Sequence, residues 1–119
     1  MLKPGDVVTV DFVGATGTKR RPYVVVSSSA YHTQRPDVIL GVLTTNVTLA
    51  SGAGDYLLQD YLAAGLRSPS AFRSYFGMYS PKQVRIIGQL TPRDWEGVLK
   101  SVARSFGLPE PPPPAAASP

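Results

Sequence analysis

Residues 91–107 constrain the fold more than any other stretch, because they describe a helix that is apolar along one stripe only. Thr91 offers a hydroxyl at an N-cap position, Pro92 suits the first helical position and Asp94 suits the positive end of the helix dipole. Trp95, Val98, Leu99, Val102 and Phe106 recur at steps of three and four residues, and Gly107 stops the run. Such a helix must bury its stripe against another element. What precedes it reads as short strands. Asp6 to Val13 alternates Val8, Val10 and Phe12 against Val7, Thr9 and Asp11, the period of a strand. Tyr23 to Ser27 is β-branched and apolar, and Asp37 to Leu43 reads as a third strand buried on both faces. Phe72 to Met78 and Arg85 to Leu90 complete the set. Short strands closed by one amphipathic helix predict a mainly β domain with short helices (α+β), a small, curled, partly closed barrel.

The connections are less regular. "SSAYHTQRP" is polar and predicts a short helical turn, and "ASGAGD" a loop. "YLLQDYLAAGL" predicts a helix that stops at Gly65. Half of the 12 prolines fall in Pro109 to Pro119. That Pro/Ala-rich segment offers no apolar face to bury, so residues 1–108 are expected to form the domain and 109–119 an extended or disordered tail. No internal repeat is visible.

Composition narrows the chemistry. With 0 cysteines there is no disulfide framework and no thiolate nucleophile or metal ligand. "MLKPGDVV" lacks the apolar core of a secretion signal and no run reaches membrane-spanning length, so a cytoplasmic protein without a membrane partner is expected. The net charge of +4 favours polyanions only weakly. No glycine-rich phosphate loop precedes a helix, and no His, Asp and Glu residues cluster at metal-ligand spacing, so neither cofactor nor metal is expected. The single histidine, His32, lies in a polar connection with no neighbouring carboxylate, which suits a solvated or capping residue better than a general base.

The cations Lys19, Arg20 and Arg21 stand out, because "GATGTKRRPYVVVSS" sets them against an apolar strand. Pro22 holds the preceding backbone extended, which places Arg21 at the first position of that strand. A planar, permanently charged fork on a rigid element suits phosphate. Thr44 and Thr45 end the third strand and Asn46 follows. If the two strands are neighbours, Arg21, Thr44 and the amide of Asn46 form an anion site. Lys19 and Arg20 read equally well as solvated charges or as part of it.

The order "GDVVTVDF…KRRPYVVVSS", "VILGVLTTN", "AAGLRSPS" and "IIGQL" before a final helix resembles the MazF/PemK toxins of type II toxin–antitoxin systems. The likeness runs from Lys3 to Leu108, and its specificity lies in order and spacing rather than in one motif. It implies an SH3-like barrel of the MazF/CcdB type, forming a homodimer with RNA in a groove at the dimer interface, in the bacterial cytoplasm. It further implies a sequence-specific, metal-independent endoribonuclease that cleaves single-stranded mRNA by attack of the 2′-hydroxyl. Arg21 and Thr44 match the family's catalytic pair. Asn46 matches an RNA-contacting position, and Thr16, Lys19 and Arg20 are the accompanying RNA-binding candidates. Many members carry Gly-Ser-Glu in the loop before Arg-Pro; here Gly14-Ala15-Thr16 lacks the acid, and Thr16 brings only a hydroxyl. The implied protein partner is a cognate acidic antitoxin. Two other readings fit the barrel: a CcdB-like toxin that binds gyrase without catalysis, and a catalytically inactive RNA-binding barrel.

Overall fold

The structure is a computed structural model, described here for residues 1–111. Strands β1 (Asp6–Gly14) and β2 (Gly17–Val25) form a hairpin whose ends pair Gly14 with Gly17. Gly17 has φ +123°, a conformation that L side chains adopt only under strain. Helix α1 (Ser29–Gln34) starts at Ser28, whose hydroxyl accepts from the Tyr31 amide. Then come β3 (Val38–Thr44), a 3-10 turn (Val47–Leu49), β4 (Asp55–Leu57) and β5 (Ala71–Tyr79). A second 3-10 turn (Pro81–Gln83) leads into β6 (Val84–Gln89) and the closing helix α2 (Pro92–Phe106).

The strands form one antiparallel sheet in the order β4-β5-β3-β2-β1-β6. Its two outer strands do not pair with each other, so the sheet is a curled half-barrel, as the short strands predict. Strand alternation gives it two apolar faces. On one, Val7, Val24, Leu43 and Phe72 pack with Leu90 and with Val98 of α2. On the other, Val8, Val10, Tyr23, Val25, Val38 and Leu40 form a second cluster. On α2, Val98 is buried and Trp95 and Val102 are partly buried, while Phe106 is 61% exposed and stacks on Phe76 at 5.6 Å.

Three expectations need correction. Strand β2 begins at Gly17, not at Tyr23, so Gly17 to Arg21 are strand and not loop. Lys19, Arg20 and Arg21 face Phe12, Asp11 and Val10 of β1. Backbone pairing and the Asp11–Arg20 ion pair hold this polar part of the strand, which carries no apolar signal. Arg21 is therefore an interior strand residue, not the first.

The second correction concerns "YLLQDYLAAGL", which forms β4 and a series of turns and no helix. Its backbone is claimed by α2 instead. The fully buried Asp94 accepts hydrogen bonds from the Tyr56 hydroxyl at 2.8 Å, the Gln59 amide at 2.9 Å and the Asp60 amide at 2.8 Å. Gly65 does adopt a left-handed conformation, at φ +84°. A Cβ there would lie 2.3 Å from the Ile87 carbonyl oxygen, and one at Gly88 2.1 Å from that of Ala64. Two glycines thus let the turn lie flush against β6.

The third concerns Thr91, which stands at the N-cap of α2 but makes no side-chain cap bond. Its hydroxyl donates to Asp60 at 2.6 Å, beside Arg93 Nε at 2.6 Å. The Arg93 guanidinium first, and the Thr91 hydroxyl second, hold the Asp60 carboxyl down at about 2. Because that lies below the ordinary value near 3.8, the stability it supplies is complete above about pH 4 and is lost as pH falls toward about 2. Asp60→Asn is expected to melt at lower temperature near neutrality and to lose less stability than the parent over that acid window. Parallel acid profiles for the two proteins in thermal melts would contradict this.

At the far end, α2 stops at Gly107, and Arg104 pairs with Glu110 at 2.6 Å. The rest of the expected tail, residues 112–119, lies outside the described residues.

Candidate active site

β2 pairs with β3 through Tyr23↔Val42, Val24↔Gly41 and Val25↔Leu40. Continuing that register two residues sets Arg21 across from Thr44, and residues directly opposite share a face of the sheet. Both line one open groove of about 450 Å³, with Lys19, Arg20 and Pro22 beside Arg21 and Leu43 and Thr45 beside Thr44. Arg21 is exposed and has no acidic partner among the described residues. The two residues that the sequence places together are together.

Thr44 Oγ1 accepts a hydrogen bond from the Asn46 amide at 3.1 Å. That leaves the hydroxyl proton to point at a ligand, since no described group accepts it. It also corrects an expectation, because the Asn46 amide is occupied by Thr44 and is not a free anion donor. The Asn46 side-chain oxygen accepts from the Thr48 hydroxyl at 2.8 Å, so the amide nitrogen of that side chain is the part left to contact a base.

All of the basic trio lines this groove, but not with equal freedom. Alternation puts Lys19 and Arg21 on one face of β2 and Arg20 on the other. Arg20 pairs with Asp11 through Nε at 2.8 Å and Nη2 at 3.3 Å. The Arg20 hydrogen bond holds the Asp11 carboxyl below its usual range, and the same bond raises the guanidinium. One of the three charges is therefore largely matched, and two remain to attract an anion. Thr16 sits at the exposed hairpin tip, outside the residues that line the groove.

His32 serves the structure elsewhere. Its Nε2 hydrogen-bonds the Ser27 hydroxyl and its Nδ1 the Leu2 carbonyl at 3.2 Å, which pins the N-terminal segment. Ser27 lies six residues along the chain from Arg21, roughly 20 Å at ~3.3 Å per residue. Among the described residues no three His, Asp or Glu side chains converge on a metal-sized space. No described helix is long and apolar enough to cross a membrane.

The sequence from residue 3 to residue 106 matches the family model of PemK-like, MazF-like toxins of type II toxin–antitoxin systems. The chain belongs to this family. Solved structures carry the same fold at low identity. A mycobacterial endoribonuclease in complex with its cognate antitoxin aligns with TM-score 0.73 and 18% identity, over 93% of this chain and 100% of that one. The Mycobacterium tuberculosis toxin MazF-mt6 aligns with TM-score 0.70 and 17% identity, over 87% and 98% of the two chains. The MazE-MazF structure of Deinococcus radiodurans gives TM-score 0.68 and 17% identity, over 91% and 97%. A sequence search of curated proteins finds no match. The toxin's barrel is thus the MazF half-barrel, with Arg21 inside its second strand and Thr44 at the end of its third.

Proposed function

We propose that the toxin is an endoribonuclease that cleaves single-stranded RNA at a phosphate held between Arg21 and Thr44. The observation that carries this reading is one open groove lined both by Arg21, which has no acidic partner among the described residues, and by Thr44, whose hydroxyl proton is unclaimed. The 2′-oxygen attacks its own phosphorus while the bond to the 5′-oxygen breaks, giving a cyclic phosphate and a 5′-hydroxyl. The attacking group is internal to the substrate, so alignment supplies much of the rate. Arg21 has donors only, so it stabilises charge on the phosphorane oxygens and does not take the 2′ proton. Thr44 orients the phosphate through its hydroxyl. Lys19 on the same face draws the strand in, and the Asn46 side chain contributes to sequence preference. No step needs a metal-activated water.

The toxin works as a homodimer and is silenced by a cognate acidic antitoxin. An acidic, partly disordered segment is matched to Lys19 and Arg21 and pays its ordering entropy only on binding. The deciding experiment incubates purified toxin with single-stranded RNA in excess chelator and maps the cut ends. Cyclic-phosphate and 5′-hydroxyl ends support the reading. RNA binding without cleavage, or inhibition of gyrase alone, overturns it.

His32→Ala is expected to retain cleavage within about tenfold of the parent, since a general acid–base residue contributes ~10²–10⁴. Kinetics on folded variant check this; a larger loss would bring His32 into the chemistry despite its position.

A further inference from the structure

The chain has 12 lysines and arginines against 8 acids. Among the described residues Arg20, Arg35, Arg73, Arg93, Lys100 and Arg104 sit in ion pairs. The cations left without an acidic partner are Lys3, Lys19, Arg21, Arg67, Lys82 and Arg85. All of these but Lys3 line three grooves that have Arg20 in common. The first is the Arg21–Thr44 groove. The second, also about 450 Å³, shares Arg20, Pro22 and Thr45 with it and adds Arg67, Ser68 and Ser70. The third, about 190 Å³, shares Thr9 and Arg20 with the second and ends at Lys82 and Arg85. The only acid in any of them is Asp11, already taken by Arg20.

The strand registers show how these grooves connect. Arg85 lies across from Thr9, and Thr9 across from Pro22, a row over three adjacent strands that spans roughly 10 Å. Thr9, Asp11, Arg20 and Pro22 alternate onto the face opposite Lys19 and Arg21. The band of free charge therefore starts on one face at Arg21, turns over the sheet at Pro22 and Thr45, and continues on the other face. Arg67 is set beside it by the turn that Gly65 and Gly88 hold flush against β6. The exposed Ile87 gives the second groove an apolar wall on which a base or sugar can rest, beside the exposed Ser68 hydroxyl.

Resting on the cleavage reading above, we propose that the RNA strand runs from the Arg21–Thr44 groove over this edge, with Arg67, Lys82 and Arg85 holding its flanking phosphates. These three are positioning residues. They touch nucleotides away from the cut, so their effect grows with substrate length and salt. Single-stranded nucleic acid is the polymer whose repeating charge and flexible backbone fit a bent cationic path with apolar rests.

The test measures affinity against salt for RNA that carries a 2′-deoxy sugar at the scissile position, as a trinucleotide and at about ten nucleotides. The proteins are the full chain, the combined Arg67→Ala, Lys82→Ala, Arg85→Ala variant, Arg21→Ala, and Lys3→Ala as a charge control. Each lost phosphate contact lowers the slope of log affinity against log salt by ~0.7. The combined variant is expected to lower the slope for the longer RNA by about 2, with Lys3→Ala and the trinucleotide slopes matching the parent. An unchanged slope for the longer RNA overturns the proposal. Trinucleotide binding indifferent to Arg21→Ala, with the slope still falling for the longer RNA, would instead sink the cleavage reading and leave the path standing.

Discussion

Arg21→Ala is expected to lower kcat/KM for RNA cleavage by ~10²–10³, the usual cost of removing one well-placed transition-state donor. Melting should stay within about a degree of the parent, because an exposed strand residue with no partner adds little to the core. Arg21→Lys should fail nearly as badly: an ammonium keeps the charge but loses the planar fork. The pair of results separates charge from geometry. Cleavage of RNA under single-turnover conditions checks both, and near-parental rates in either variant would move the site away from β2.

The largest structural effect is expected at Asp94. Its side chain is fully buried and takes hydrogen bonds from one hydroxyl and two backbone amides. Asp94→Ala leaves three donors facing a void, at ~1–3 kcal/mol for each unsatisfied group. Partial relaxation brings the expected loss to about 3–5 kcal/mol, large against the ~5–15 kcal/mol that holds a typical domain. Thermal unfolding should show a drop of roughly 15 °C. The damage reaches function through the segment from Tyr56 to Leu66, which Asp94 ties to α2 and which leads directly into Arg67. Hydrogen exchange should therefore quicken first at Gln59 and Asp60. A loss below about 1 kcal/mol would show that this segment holds its place without the carboxyl.

Those same carboxyls mark the limit of what one sequence discloses. β1, β3, β5 and α2 were legible because apolar periodicity follows directly from burial on one face or two, whereas β6 was legible from its β-branched residues although Ile86 and Ile87 are exposed. The first half of β2 was not, since Lys19 to Arg21 are polar and are held by β1 rather than by a core. "YLLQDYLAAGL" has helical spacing, yet Leu57 and Leu62 are 55% and 70% exposed while Leu58 and Leu66 are buried. What overrides that local preference is Asp94, a residue 34 and 35 positions away from the amides it binds. That Arg21 and Thr44 line one groove could be reasoned out, because the recognisable strands that carry them pair. The pairing of Arg20 with Asp11 could not, because it depends on the hairpin register. Lys82 and Arg85 belong to a different part of the chain from Arg67, and only the sheet order and the glycine-mediated contact bring them to one path.

Arg21 and Thr44 are proposed to hold one phosphate between them. The most direct measurement is a crystal structure of the toxin with RNA made uncleavable by a 2′-deoxy sugar at the scissile position. A guanidinium nitrogen of Arg21 is expected at about 2.7–2.9 Å from a non-bridging oxygen of the phosphate that follows that sugar. The Thr44 hydroxyl is expected within hydrogen-bond reach of the same phosphate. That phosphate seated at His32, or on the Arg67 side with Arg21 left in solvent, would contradict it.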